Sequence, residues 1–332
     1  MAEDNHLVDL ANAGDPAAQY AVARDLLSGE GSAESDIRQA FEWMDAASVA
    51  GNADAMTMRA LFEATGAGRQ QDWHQALDTL QRAAEHGSEF AGRQLLLLAY
   101  PTSEPQVPEN AQTEFWTQVR RAVSLDRLFA HPDRRALSNG PPIRVMEGFA
   151  SAAECRWLID RATGMLKMAV VVDSEGRQIV DPVRTNKGAI FQFTDMDLVI
   201  EALRSRISAA TRIPVALLEP TQVLHYRVGQ EFKRHCDYLE PGNSHHRKQL
   251  QAHGQRIATF LLYLNDDFEG GETEFCDIGV RYRGKAGDAV FWANCDLEGR
   301  PDPRTLHAGL PPATGEKWIL SQWIRDRPAS AA

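Results

Sequence analysis

Cysteine is scarce in this chain: Cys155, Cys236, Cys276 and Cys295 are the four in 332 residues. None forms a C-x-x-C pair, which argues against a zinc knuckle and a dithiol redox motif. Few, scattered cysteines fit a reducing compartment. Long apolar runs are also missing. No stretch approaches the ~20 residues that a bilayer-spanning helix needs, so no membrane role is expected. The opening MAEDNHLVDL has no basic stretch followed by an apolar one. A secretory signal is therefore not expected, and the expected location is cytoplasmic. Basic residues are outnumbered, with 35 Lys and Arg against 46 Asp and Glu and a formal net charge of −11. Such a chain is a poor partner for nucleic acid or an anionic surface, and no nucleic acid is expected to bind. What remains is an ordinary globular composition, 43% hydrophobic and 24% charged. Its length favours two domains.

The first hundred residues repeat. Gly14-Asp15-Pro16-Ala17-Ala18 recurs as Gly51-Asn52-Ala53-Asp54-Ala55 and more weakly as Gly87-Ser88-Glu89-Phe90-Ala91. Gly29-Glu30-Gly31 recurs as Gly66-Ala67-Gly68, and Gln39-Ala40-Phe41 as Gln75-Ala76-Leu77. The offset of 36 or 37 residues is the period of a two-helix solenoid repeat. Small alanines let paired helices approach, and the glycines supply positive φ where helices end. The pattern resembles Sel1-like repeats of the tetratricopeptide superfamily, and the third copy ends near Leu98. Trp43, Phe41 and Trp73 are read as solenoid core.

Residues 101–108, PTSEPQVP, read as a linker, and 110–129 as a helix that caps the solenoid. Asn139-Gly140-Pro141-Pro142 is a breaker and the expected domain boundary. The expected organisation is thus repeats over 1–100, linker and capping helix over 101–138, and a second domain over 139–328. A strand over 143–149 precedes Ser151-Ala152-Ala153-Glu154, a capping-box pattern that opens a helix to about Met165. Short strands follow, at 188–193, 221–228, 257–264, 279–282, 289–292 and 317–324. Gly270-Gly271 is read as a hairpin turn. The expected class is α+β, an α-solenoid followed by a β-sandwich or jelly roll with supporting helices.

The chemistry concentrates in LHYRVGQEFKRHCDY, residues 224–238, and RTLHAGLPPATGEKWILSQWIR, residues 304–325. His235 and Asp237 stand two apart in a run that alternates like a strand, which puts both side chains on one side and Cys236 on the other. Two histidines and one carboxylate on one face hold Fe(II) in non-haem oxygenases and leave the opposite face open. His307 is the leading candidate for the third ligand. Lys317 lies in the apolar run KWILSQWI, where a buried ammonium needs an anionic partner. The distal carboxylate of a 2-oxo acid supplies one, and Tyr226, placed on the strand leading to His235, has a hydroxyl to offer it. Trp323 would wall the pocket.

These motifs, with GQRIATFLLYLNDDFEGGETEF, GKAGDAVFWAN, PVRTNKGAIF and EGFASAAEC, resemble in order the catalytic domain of prolyl 4-hydroxylases of the collagen-type and bacterial kind. The resemblance covers roughly residues 140 to 326. It implies a double-stranded β-helix, an Fe(II)- and 2-oxoglutarate-dependent dioxygenase using O2, and ascorbate as an accessory. It implies that His235, Asp237 and His307 bind iron. It implies that Lys317 binds the distal carboxylate of 2-oxoglutarate with help from Tyr226 and Thr259, and that Trp323 stands beside the cosubstrate. Cys236 departs from the family, which often has Phe there. A retained Asp237 favours hydroxylation over halogenation. The expected reaction turns 2-oxoglutarate and O2 into succinate and CO2 while hydroxylating an aliphatic C–H, foremost a prolyl residue of a peptide or protein.

Other features have competing readings. Arg184 in VRTN is read as a substrate contact or as an ordinary surface pair. His245, His246 and His253 are read as a solvated loop, with a second metal site or contact with an acidic peptide as alternatives. The repeats offer a surface that would hold part of a protein substrate. Alternatives to the hydroxylase are a repeat-based adaptor whose oxygenase half senses 2-oxoglutarate or oxygen, and a hydroxylase of a small molecule or free amino acid.

Overall fold

Helices in the first hundred residues begin where a short polar side chain can cap them. Asp15, Asn52 and Ser88 accept hydrogen bonds from the backbone of Ala18, Ala55 and Ala91, and each is preceded by a glycine at φ of 92°, 94° and 89°. Only glycine adopts that backbone without strain, so the turn and the cap recur together. The computed structural model describes residues 2–29, 36–103, 106–169, 171–172, 178–179 and 183–328. Glu30 and Gly31 of the repeat signature, and Glu104 and Pro105 of the linker, lie outside the described residues.

The chain divides into two units, Met1–Phe129 with Phe193–Leu203, and Ala130–Gln192 with Arg204–Ala332. In the first, helices Ala2–Asn12, Pro16–Ser28, Ile37–Val49, Ala53–Thr65, Trp73–Glu85 and Glu89–Ala99 each pack on the next. Ala18, Ala55 and Ala91 are all buried at the close approaches between them. Phe41 and Trp43 pack against these cores, and Trp73 is buried. The expected capping helix is two helices, Thr113–Ala122 and Leu125–Phe129, the former packed on the last repeat. Its Trp116 lies over Gly92, where an added Cβ would meet the indole at 2.6 Å. Within this unit Phe193 stacks on Phe62 at 5.7 Å, and Gln94 accepts the Leu198 N–H at 2.9 Å.

The second unit is built on two large antiparallel sheets, with two further two-stranded ladders, Glu269–Gly270 with Pro312–Thr314 and Val171–Val172 with Gln178–Ile179. The larger has eight strands in the order Arg135–Asn139, Pro142–Met146, Ala289–Ala293, Arg256–Tyr263, Lys317–Arg325, Gln222–Tyr226, Lys187–Ile190 and Lys167–Met168. The smaller has four: Val280–Tyr282, Thr273–Phe275, His307–Gly309 and Phe232–His235. One apolar cluster joins them, with Ile143, Leu261, Tyr263 and Trp292 from the larger sheet meeting Phe275, Phe232 and Tyr282 from the smaller. Helix Ala152–Thr163 packs on strands Lys187–Ile190 and Gln222–Tyr226. It starts with the expected capping box between Ser151 and Glu154. Among the described residues no helix is long and apolar enough to cross a membrane.

Several expectations need correcting. The breaker at Asn139–Pro142 is not a boundary but the turn of a hairpin joining two strands of the larger sheet. The run 224–238 is not one strand. It breaks at Gly229, so Tyr226 and His235 lie in different sheets. The histidine-rich stretch is a helix, Ser244–His253, and not a loop; it lacks an apolar stripe, so periodicity does not reveal it. Gly270-Gly271 is no hairpin turn. Glu269–Gly270 is a short strand paired with Pro312–Thr314, on the way from the larger sheet to the smaller, and Gly271 passes so close that a Cβ would meet Phe268 at 2.9 Å. The strand expected to reach Phe193 stops at Ile190.

Glu154 has a second task. Both carboxylate oxygens receive Arg206, at 2.8 and 3.2 Å, and both residues are buried. Glu154→Ala removes the cap acceptor and leaves a buried guanidinium without its carboxylate. We expect it to destabilise this unit by about 3 kcal/mol in denaturant unfolding. A loss below ~1 kcal/mol would show that water replaces the pair.

Candidate active site

Strand periodicity builds the site. Along Lys317–Arg325 the alternate residues Lys317, Ile319, Ser321 and Trp323 point to one face and line a pocket between the sheets. Lys317 stands opposite Tyr226 and Trp323 opposite Thr259 in the ladder, so all four share that face. On the smaller sheet His307 stands opposite His235. Asp237 follows just past that strand's end. His235, Asp237 and His307 each present one ligand atom, and these atoms all lie within 4.8 Å of one another.

The tautomers suit a metal. His235 Nδ1 lies 2.7 Å from the Lys233 carbonyl, and His307 Nδ1 lies 2.9 Å from the Thr305 carbonyl. A carbonyl only accepts, so each Nδ1 carries the proton and each Nε2 presents a lone pair. The Nε2 atoms lie 3.7 and 3.5 Å from Asp237 oxygens, too far for hydrogen bonds but suited to a shared ion. Burial and the neighbouring His307 imidazole push His235 down to about 3, which keeps it neutral. Burial pushes Asp237 upward, but attraction to His307 and His235 in their protonated forms and the hydrogen bond from the Thr259 hydroxyl outweigh it and hold the carboxyl below its usual range; with the imidazoles neutral, the Thr259 bond is the contribution that remains. Phe232 stacks on His235 and Trp292 meets His307 edge-on, so packing fixes both rings. His235 keeps 17% of its side-chain surface exposed against 6% for His307, which places it nearer the mouth.

Lys317 is fully buried, and its Nζ has no hydrogen-bond partner among the described residues. The rings of Tyr226 and Tyr263 lie 5.2 and 5.6 Å away. Burial drives the amine down to about 7, opposed only by Glu272. An orphaned amine on the same pocket as a three-ligand cluster suits an anion that also reaches the metal. Tyr226 is buried on the pocket wall, and burial raises its hydroxyl to about 12 despite Arg184.

Arg184 is no surface pair. It is 7% exposed, lines the pocket, donates to Asn186 at 3.1 Å and lies 4.7 Å over the Phe232 ring. Trp323 is half-buried, with the Arg256 guanidinium stacked on it at 3.5 Å and Arg256 held by both oxygens of Glu219. Thr259 departs from its expected place: its hydroxyl donates to Asp237 at 2.6 Å instead of reaching toward Lys317. Cys236 does not line the pocket. Sequence reasoning missed Thr273 and Asn294. Thr273 lines the pocket, its hydroxyl 2.9 Å from that of Tyr263, and Asn294 donates to Thr259 at 3.0 Å. Neither has a local motif that marks it, since each is defined by what lies across the ladder.

Residues 221–325 match the family model of the 2OG-Fe(II) oxygenase superfamily. The chain is 34% identical over 209 residues to Prolyl 4-hydroxylase 1 of Arabidopsis thaliana, across 58% of this chain and 72% of that protein. Among solved structures it resembles the viral collagen prolyl hydroxylase of Paramecium Bursaria Chlorella virus-1 in its 2OG complex. That likeness has a TM-score of 0.43 and 26% identity, covering 57% of this chain and 98% of the other. It also resembles a Sel1 repeat protein from Oxalobacter formigenes, with a TM-score of 0.30 and 22% identity, over 37% of this chain and 90% of that one.

The buried amine has a stability cost of defined sign. Its folded pKa of about 7 lies below the unfolded value of ~10.4, so between these limits the unfolded chain binds more protons and stability rises with pH. Lys317→Met should therefore raise the thermal midpoint of the ligand-free protein, and by more at pH 7 than at pH 9. An equal gain at both would show that the amine is not buried as a base.

Proposed function

This chain belongs to the prolyl 4-hydroxylase-like 2OG-Fe(II) oxygenases, and we propose that it hydroxylates prolyl residues of a peptide or protein substrate. The observation that carries the reading is the shared pocket: a three-ligand cluster at the smaller sheet and its edge, and on the larger sheet a buried amine with no hydrogen-bond partner among the described residues. In this reading the second unit is a double-stranded β-helix. The first is a set of Sel1-like repeats that contributes to holding the substrate.

When bound, Fe(II) and 2-oxoglutarate supply the oxidising power for C–H hydroxylation with O2, the oxo acid leaving as succinate and CO2. His235, Asp237 and His307 hold the metal with two neutral imidazoles and one carboxylate, leaving its other positions open. Carbonyl anchors on both Nδ1 atoms keep the rings from turning. Lys317 holds the distal carboxylate, and Leu224, Leu261 and Ile319 line the same pocket and keep it dry. Trp323 walls the cosubstrate, and Arg184 orients a polar group of the substrate.

Purified protein supplied with Fe(II) should convert 2-oxoglutarate to succinate, and His235→Ala should abolish this. Undiminished turnover in that variant would sink the ligand assignment. Lys317→Ala should raise the KM for 2-oxoglutarate at least about tenfold, through loss of a buried charge-assisted contact. Because the free amine titrates near 7, 2-oxoglutarate binding should weaken by up to about tenfold per pH unit above that value. Affinity constant from pH 7 to 9 would show that Lys317 is not the anchor. Mass spectrometry of a proteome treated with the enzyme should find one oxygen added to proline; oxygen added to another residue type would redirect the substrate assignment.

A further inference from the structure

Asp237 is the anionic member of the cluster, and its two oxygens have different surroundings. Oδ2 accepts a hydrogen bond from Thr259 Oγ1 at 2.6 Å and lies 3.5 Å from His307 Nε2, whereas Oδ1 lies 3.7 Å from His235 Nε2 and accepts no hydrogen bond from the described residues. Thr259 is 1% exposed and sits on the inner face of strand Arg256–Tyr263, opposite Trp323. Its oxygen is itself a hydrogen-bond acceptor, from Asn294 Nδ2 at 3.0 Å. Asn294 is fully buried just past strand Ala289–Ala293, with its backbone tied at both ends. Its N–H donates to the Ile257 carbonyl at 2.7 Å, and its carbonyl accepts the Asp302 N–H at 2.9 Å.

The chain of donors runs in one direction. A hydroxyl has one hydrogen, and an ionised carboxylate can only accept. The short contact to Asp237 therefore uses the Thr259 proton, which leaves the hydroxyl oxygen free to accept from Asn294. Turning the Asn294 amide over would place its oxygen against Thr259. One of the two contacts to the hydroxyl would then lack a proton. The other end of the amide confirms how constrained it is: Asn294 Oδ1 is buried without a partner among the described residues, a cost of about 1–3 kcal/mol.

We propose that Thr259 and Asn294 are positioning residues that hold Asp237 as a one-oxygen ligand. Both oxygens face an imidazole, but the Thr259 hydroxyl already occupies Oδ2 and stops the carboxylate from turning, which leaves Oδ1, free of hydrogen bonds among the described residues, as the ligand oxygen. A carboxylate free to rotate would bind through both oxygens and fill a position that a facial two-histidine, one-carboxylate site must keep open. The assignment replaces the cosubstrate role that resemblance implied for Thr259. It rests on the metal reading of His235, Asp237 and His307.

Co(II), titrated alone into the full-length protein, is the probe. Thr259→Val keeps the shape and removes the hydroxyl. It should weaken Co(II) binding by about tenfold or more and change the visible spectrum of the bound ion. Thr259→Ser restores the donor and should bind within about threefold of the native protein. Asn294→Leu should weaken binding less than Thr259→Val. The double variant should be no weaker than Thr259→Val alone, because Asn294 acts only through the hydroxyl. Native Co(II) affinity and spectrum in Thr259→Val, with a raised KM for 2-oxoglutarate, would return Thr259 to the cosubstrate and overturn the proposal. A native chain that fails to bind Co(II) would instead overturn the metal reading. Should Thr259→Val not fold, Asn294→Leu decides, since an unchanged affinity there also overturns the relay.

Discussion

A lysine amine buried without a counter-ion shapes this molecule more than any other single group. Lys317 is enclosed between two sheets, and among the described residues no carboxylate contacts its amine. A fold selected for stability alone would place an apolar side chain there. The cost makes sense when an anion completes the site, and the metal cluster facing the same pocket says what kind: one with a second group able to reach a metal. The walls follow from the same requirement. Leu224, Leu261 and Ile319 exclude water, which strengthens whatever electrostatic contact the amine makes.

Around that group the site is assembled by two ladders and not by loops. His235 and His307 are cross-strand partners, as are Lys317 and Tyr226, and Thr259 and Trp323. Side chains held in ladder register have little freedom, and that rigidity is what a metal site with open positions needs. Asp237 is the exception. It lies beyond its strand, and its orientation comes from hydrogen bonding through Thr259 and Asn294. The aromatic partners of the histidines and the arginine stacked on Trp323 extend the same logic to the walls.

The repeats were legible because their signals are local. A glycine at positive φ and a capping side chain sit side by side in the chain, so their recurrence can be read directly. The helix Ser244–His253 was not legible by periodicity, since its residues carry no apolar stripe; its local signal is Gly242-Asn243, where Asn243 accepts the His246 N–H at 3.2 Å. The break between Tyr226 and His235 was hidden for another reason. Both halves alternate, and nothing short of the pairing partners distinguishes one long strand from two strands in different sheets. The turn at Asn139–Pro142 carried a true breaker signal, but a hairpin and a domain boundary use the same residues.

Residue types and spacing alone determined the chemistry: two histidines, a carboxylate and a lysine in an apolar run. These identities are read one position at a time, and strand alternation tells which neighbours share a face. The tertiary structure decided everything that depends on residues distant in sequence. It set the Thr259 hydroxyl against Asp237, buried Arg184 on the pocket wall, and revealed Thr273 and Asn294. The physical reason is that a hydroxyl or amide has no fixed role in a sequence. Its partner is set by the register of strands 22 to 35 residues away, and only folding establishes that register.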